Sequence, residues 1–384
     1  MGSKKKILTI IGARPQIIKS AAISRAIKNK YSAQLEEVVV HTGQHYDENM
    51  SDIFFEEMGI PQPKYNLGVG SGSHAKQTAE MLIGIEEVLL KEQPSAILVY
   101  GDTNSTLAGA TAASKLNVPI VHVEAGLRSF NKSMPEEINR IVCDHLSTLL
   151  FSPTKTGYEN LVKEGFSETT SPPYHPDNPK IYHCGDIMYD NSLFFSSIAD
   201  EKATVLKENN LINEDFFLCT IHRGTNTDNP QRLTTIFEAL LEIIRNHSSK
   251  KIVLPLHPRT MSCISKNLPS ALYEKVLKED RIKIIEPVSY LNIIALEKHC
   301  ELVITDSGGL QKEAFFFKKP CVILRPETEW KEIVENGNAR VVDADINLII
   351  DAVDYYSSNH NLNYPSFYGD GKAAEFICGE VVRV

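Results

Sequence analysis

The sequence predicts an α/β protein of two doubly wound, parallel-sheet domains, and three observations carry that expectation. Short runs rich in β-branched residues alternate along the chain with longer segments of helical spacing. The runs are continuously apolar instead of alternating, as strands covered on both faces are. A length of 384 residues is also too great for one comfortable core, whereas two domains of ordinary size can each bury a full interior.

Taken in order, strands are expected at residues 7–11, 38–41, 96–100, 120–123, 149–152 and 181–184, with helices such as 17–30, 77–91 and 106–116 between them. The rhythm repeats in the second half, with strands at 216–221, 252–256, 282–285, 302–305, 321–324 and 340–342. The polar stretch ADEKATVLKENNLINED places the boundary between Asp186 and Asn213, giving an N-terminal domain over residues 1–190 and a C-terminal one over 191–370. The proline-rich SETTSPPYHPDNPK, residues 167–180, reads as an exposed loop.

Composition narrows the function. With 42% hydrophobic and 23% charged residues the chain is globular, and no apolar run approaches the roughly 20 residues that span a bilayer. The N-terminal basic residues precede an apolar run too short for a signal-peptide core, so a cytoplasmic location is expected. A net charge of -9 argues against nucleic acid as a partner, because such binding releases counterions from a Lys/Arg-rich face. Seven cysteines, spread singly without a C-x-x-C pair, suit a reducing compartment and small buried roles.

In open parallel sheets ligands bind beyond the carboxyl ends of the strands. The unusual polar residues fall there: GARPQ, HTGQH, GDTNST, EAGLR, HRGTN, HPRT and DSGGLQKE each follow an apolar run. In TDSGGLQKEA, Ser307, Gly308 and Gly309 open a helix whose N–H groups and dipole can hold a phosphate, with Glu313 one turn on and able to reach a sugar hydroxyl. The same residues also suit an ordinary capped helix. In GARPQIIK, Arg14 lies in the first strand-to-helix turn and Lys19 a turn later, where cations suit a diphosphate. The cluster GVGSGSH lacks the spacing of a dinucleotide fingerprint and reads as a flexible loop.

The carboxylates say most. Asp102 and Glu124 sit immediately beyond apolar strand residues, and Glu136 starts the helix after Pro135. Acids at such positions are paired, raised in pKa or catalytic, although helix capping is the plainer alternative. His222 and His257 end two successive strands beside Arg223 and Arg259, a pattern that suits anion contacts. With neither H-E-x-x-H nor a cysteine pair, no metal is expected.

Together GARPQIIK, GDTNSTLAG, HVEAGLRSF, MPEEINR, HRGTN, TDSGGLQKEA and YGDGKAA resemble, in order and from Ile7 to about Ala374, the non-hydrolysing UDP-N-acetylglucosamine 2-epimerases. The resemblance implies two Rossmann-like domains in a GT-B arrangement, a UDP-sugar in the interdomain cleft, and a C-terminal helix over about 371–384 returning to the first domain. It implies a homodimer without cofactor that eliminates UDP from C1 and a proton from C2. The bound 2-acetamidoglucal then takes UDP back as the proton returns to the other face, supplying UDP-N-acetylmannosamine-type donors for surface polysaccharide. Carried over by motif, Asp102, Glu124 and Glu136 resemble the catalytic carboxylates, and Arg14, Lys19, Arg140 and His222 the cationic and phosphate-side groups. Ser307, Gly308, Gly309 and Glu313 match the phosphate and ribose positions, and Tyr290 lies where the uracil pocket is built.

The chain departs from the pattern at four turns. HRGTN carries Thr225 where the family has an acid, Trp330 in TEW replaces an arginine, HPRT replaces HPNP, and TGQHYDENM replaces an AQHR-type turn. HPRT and TEW resemble a subgroup that includes epimerases of UDP-2,3-diacetamido-uronic acids, for which Arg259 is a carboxylate contact to expect. A GT-B glycosyltransferase, a hydrolysing epimerase and a nucleotide-sugar-binding regulator are the competing readings. The first would not need carboxylates at the strand ends of the first domain.

Overall fold

The computed structural model describes residues 4–43, 55 and 58–383. The chain divides into two compact units: the first runs through Asn191 and resumes at Ser366, and the second is Ser192–Pro365. Residues 44–50 of the TGQHYDENM turn, with Gln44 and His45 of HTGQH, lie outside the described residues.

The first unit holds a parallel sheet of β1 (Lys5–Ile11), β2 (Leu35–His41), β3 (Tyr65–Asn66), β4 (Ala96–Tyr100), β5 (Ile120–Val123), β6 (Leu149–Ser152) and β7 (Lys180–His183), in the order β3-β2-β1-β4-β5-β6-β7. The central strands are buried along their length, which is why they read as unbroken apolar runs. Helices α1 (Arg14–Ala26), α2 (His74–Glu92), α3 (Asn104–Lys115), α4 (Pro135–Leu146) and α5 (Lys155–Lys163) connect them, and α6 (Ile187–Lys202) runs on into the second unit.

Helix α1 begins three residues before its expected start. Pro15 is preset for a first turn, and the Gln16 side chain accepts the Gly12 and Ala13 N–H groups at 2.9 and 3.2 Å. Its last turn continues as a π-helical segment, Ile27–Tyr31. The glycine cluster before α2 is tied down rather than loose: Ser73 caps the helix, and Gln77 Nε2 donates to the Gly70 carbonyl at 3.0 Å.

The second unit repeats the plan with β8 (Phe216–Thr220), β9 (Lys251–Pro255), β10 (Ile282–Ile285), β11 (Leu302–Thr305), β12 (Cys321–Ile323) and β13 (Ala339–Val341), ordered β10-β9-β8-β11-β12-β13 and parallel throughout. Its helices are α7 (Val205–Glu208), α8 (Gly224–Thr227), α9 (Pro230–Asn246), α10 (Pro258–Asn267), α11 (Ser270–Lys278), α12 (Tyr290–His299), α13 (Gly308–Phe316), α14 (Lys331–Glu335) and α15 (Ile346–Ser358). Helix α9 shows the packing logic: Leu233, Ile236, Phe237, Leu240, Ile243 and Ile244 recur at three- and four-residue spacing and are wholly buried. The last helix, α16 (Ala373–Arg383), belongs to the first unit.

Candidate active site

In each sheet the strand order reverses once, between β1 and β4 and between β8 and β11. A crevice opens outside the carboxyl ends at such a switch point, and the predicted residues sort onto these two places.

In the first unit Gln16 joins the two halves of the switch, donating to the Tyr100 carbonyl at 3.1 Å and to Thr106 Oγ1 at 3.0 Å. That places Lys19, a turn along α1, over the end of β4, and its ammonium pairs with the mostly buried Glu124 carboxylate. Gly101 makes room for the pair. Its φ is +62°, and a Cβ there would stand 2.9 Å from Glu124 Oε2 and 3.1 Å from Lys19 Nζ. Glu124 itself has φ +77°, a conformation that costs a non-glycine residue about 1–2 kcal/mol. Such strain persists only where the surroundings over-determine it.

Asp102, half-buried on the turn after β4, receives Arg140 Nη2 at 2.6 Å. Arg140 also gives Nη1 to Glu137 at 2.8 Å, and Glu137 accepts the Ser129 and Phe130 N–H groups at 2.9 Å each. Burial would raise the Glu137 carboxyl, but those two N–H donors, with Ser129 and Arg140, hold it below its ordinary value. Asn139 Nδ2 donates to the Asp102 carbonyl at 2.8 Å, so α4 fixes the acid through both main chain and side chain. Glu136 is exposed in the first turn of α4, and Arg14 is exposed at the first position of α1.

In the second unit Asp306 organises the switch. Fully buried, it accepts from the His222 N–H at 3.0 Å, the Arg223 N–H at 3.1 Å and Asn226 Nδ2 at 3.1 Å, with His222 Nδ1 3.0 Å away. Burial works against its charge, yet the His222 ring, the Arg223 N–H and Asn226 keep its carboxyl below the usual range. The His222 side chain remains 54% exposed. Ser307 caps α13, and the space over Gly308 is framed by cations: a Cβ built there would lie 3.7 Å from Arg325 Nη1 and 3.8 Å from Arg223 Nη2. A bidentate Glu329, at 3.0 Å from each Arg325 terminal nitrogen, aims that guanidinium. Trp330, where the family pattern has arginine, is buried and donates Nε1–H to the Gly308 carbonyl at 2.8 Å. The guanidiniums at this helix start thus come from Arg223 and Arg325.

Glu313 is buried, its Oε2 lying 3.9 Å from the Cβ direction of Gly309. Tyr290 opens α12 as a core residue, its ring edge-on to Phe195 with centroids 5.5 Å apart. His257 is exposed and caps α10, while Arg259 reaches Asp228 Oδ2 at 3.3 Å. Arg140 and Lys19, expected on the diphosphate side, have their charges on Asp102 with Glu137 and on Glu124. Among the described residues no group of three or more His, Cys, Asp or Glu is arranged to hold a metal ion, and no helix is long and apolar enough to cross a membrane. Sequence reasoning missed Asp306, Glu137, Asp144 and His122. The signal available was a charged residue inside or just after an apolar run, which Asp306 and His122 both display.

Acids set against cations at one switch point, and a glycine-opened helix framed by guanidiniums at the other, define the class: an α/β enzyme suited to acid–base chemistry on a phosphorylated ligand. The sequence pattern of the UDP-N-acetylglucosamine 2-epimerase family matches residues 26–381. The chain belongs to that family. It is 48% identical to the UDP-2,3-diacetamido-2,3-dideoxy-D-glucuronate 2-epimerase of Pseudomonas aeruginosa, over 99% of this chain and 100% of the relative. It is 44% identical to the UDP-N-acetylglucosamine 2-epimerase of Methanocaldococcus jannaschii, over 97% of each. A crystal structure of the Methanocaldococcus jannaschii UDP-GlcNAc 2-epimerase in complex with UDP-GlcNAc and UDP superposes with TM-score 0.86, covering 99% of this chain and 100% of that one.

Proposed function

We propose that the protein interconverts UDP-N-acetylglucosamine and UDP-N-acetylmannosamine by elimination and re-addition of UDP. The observation that carries this reading is the pair of acids, Asp102 and Glu124, at the ends of adjacent strands, each set against its own cation. The C2 proton is not adjacent to a carbonyl, so direct deprotonation is hard. Cleaving C1–O expels UDP with its electron pair, C2 loses its proton to a carboxylate, and a C1=C2 double bond forms. Return of the proton to the opposite face and of UDP to C1 closes the cycle with no net redox change. Asp102, Glu124 and Glu136 are the groups that take and return the proton. Ser307, Gly308, Gly309, Arg223, Arg325 and His222 hold the diphosphate, Glu313 the ribose and Tyr290 the wall beside uracil.

A second substrate is favoured by the 48% identity to an epimerase of a diacetamido-glucuronate, together with the exposed Arg259 that HPRT introduces. On that reading Arg259 leaves Asp228 for the sugar's C6 carboxylate. The working form is a cytoplasmic homodimer that supplies surface-polysaccharide synthesis. Incubation in deuterated water, followed at C2 by proton NMR, tests the proposal. Deuterium entering C2 of UDP-N-acetylglucosamine with appearance of UDP-N-acetylmannosamine supports the first substrate, and exchange only with the diacetamido-glucuronate moves the substrate. Silence with both sinks the epimerase reading.

A further inference from the structure

His122 is the one ionisable side chain in the middle of the apolar run of β5, and its ring is fully buried. Nδ1 lies 2.7 Å from Asp144 Oδ1, and Nε2 lies 2.9 Å from the Gly101 carbonyl oxygen. A neutral imidazole carries one N–H and one lone pair, and here both ring nitrogens face acceptors. Asp144 does not supply the missing hydrogen, because its Oδ2 already takes the Gly126 N–H at 3.1 Å and Arg128 Nη2 at 2.8 Å, contacts that favour the carboxylate. A carbonyl oxygen has no hydrogen to give. Both ring nitrogens therefore carry one.

We propose that His122 is a permanent imidazolium and a positioning residue, clamping the turn that carries Asp102 to the turn that carries Glu124. The path is continuous: the Asp102 turn, the Gly101 carbonyl, the His122 ring, the Asp144 carboxylate, the Gly126 N–H, and the turn holding Glu124. Gly101 is held through its other main-chain group too, its N–H donating to the Val123 carbonyl at 3.0 Å. The clamp thus acts where the backbone is strained, at the left-handed Glu124.

The charges around the ring balance. His122 and Arg128 face Asp144 and Glu164, with Arg128 Nη2 2.7 Å from Glu164 Oε2 and the exposed His145 3.6 Å from that carboxylate; the Cys143 thiol is a further titratable neighbour. Burial opposes the charge, but Cys143 and the Asp144 carboxylate beside the ring outweigh it and hold the imidazole well above its ordinary pKa.

The catalytic part of this inference rests on the epimerase reading, whereas the proton count does not. The first measurement is a nitrogen-15 spectrum of the full-length protein labelled at histidine, with the His122 signals assigned by their loss in His122→Asn. Both ring nitrogens should remain protonated in mildly alkaline solution, well above the ordinary histidine pKa. A neutral ring there overturns the proposal.

The second measurement is C2 exchange by His122→Gln, which keeps a donor toward Gly101 but removes the charge and the Asp144 contact. The kcat should fall about 100-fold, as small misplacements of reacting groups do, with UDP affinity unchanged. A lower melting temperature with kcat intact would reduce His122 to an ordinary structural residue. Should this variant fail to fold, His122→Asn, which keeps the Asp144 contact, carries the kinetic test. A wild-type protein inert toward UDP-N-acetylglucosamine and the diacetamido-glucuronate would sink the epimerase reading, and the ring's proton count would still decide this one.

Discussion

At the scale of single residues the site depends on small spaces as much as on charged groups. Gly101→Ala is the sharpest probe, because its φ of +62° and the 2.9 Å approach of Glu124 Oε2 oppose any Cβ. The left-handed backbone should cost about 1–2 kcal/mol of stability. The displaced acid should cost activity as well, so a melting curve and the C2 exchange rate should fall together. Asp102→Asn keeps the shape and removes one of the proposed proton-transfer carboxylates; exchange should drop about 100- to 10,000-fold while UDP binding, measured by calorimetry, stays unchanged. Asp102 and Glu124 could be read from the sequence because each lies within two residues of the end of a buried strand, where an acid needs a reason. Asp144 could not. In sequence it is an ordinary helix acid before a histidine, and only folding brings Arg128, His122 and the Gly126 N–H onto it.

At the scale of elements the long strands and helices could be read because their hydrophobic spacing is set by burial on both faces of a sheet. Strand β3 could not: two residues give no period, and the element exists because its neighbours hold it. Glu92, at the end of α2, accepts Lys64 Nζ at 2.6 Å and the Tyr65 hydroxyl at 2.5 Å, and its other oxygen takes Lys6 Nζ from β1 at 2.8 Å. Hydrogen bonds from Lys6, Lys64 and Tyr65 lower its carboxyl from 4.5 to about 2. A depressed acid contributes stability that is complete above its unfolded value and is lost as pH falls through its folded one. That contribution should therefore vanish between about pH 4.5 and about pH 2. Thermal unfolding across the window should show wild type losing more stability than Glu92→Gln, which lacks the titrating group. Parallel curves for the two proteins would detach Glu92 from the anchoring of β3.

At the scale of the molecule the first unit is closed by residues from the far end of the chain. Helix α16 buries Ala373, Ala374, Ile377, Cys378 and Val381, and its start is capped by Asp190, whose carboxylate takes the Ala373 and Ala374 N–H groups at 3.2 and 2.8 Å. Lys5 Nζ donates to the Val382 carbonyl at 2.7 Å and Tyr182 to Glu380 at 2.7 Å, so both the first and the last strand of the sheet's main run hold the helix. Fully burying one Ile or Val contributes about 1.5–3 kcal/mol, and a lost cap costs about 1 kcal/mol, against a typical domain margin of about 5–15 kcal/mol. Truncating the chain after Gly371 should therefore take most of the first unit's margin, although none of the proposed catalytic groups is deleted. Scanning calorimetry of the truncated chain should show the first unit's transition lowered or absent. A second transition should persist and shift upward with added UDP, since a ligand that binds only the folded form stabilises it by mass action. An unchanged single transition would mean that α16 merely rests on the first unit, and that the chain's return at Ser366 contributes nothing to its stability.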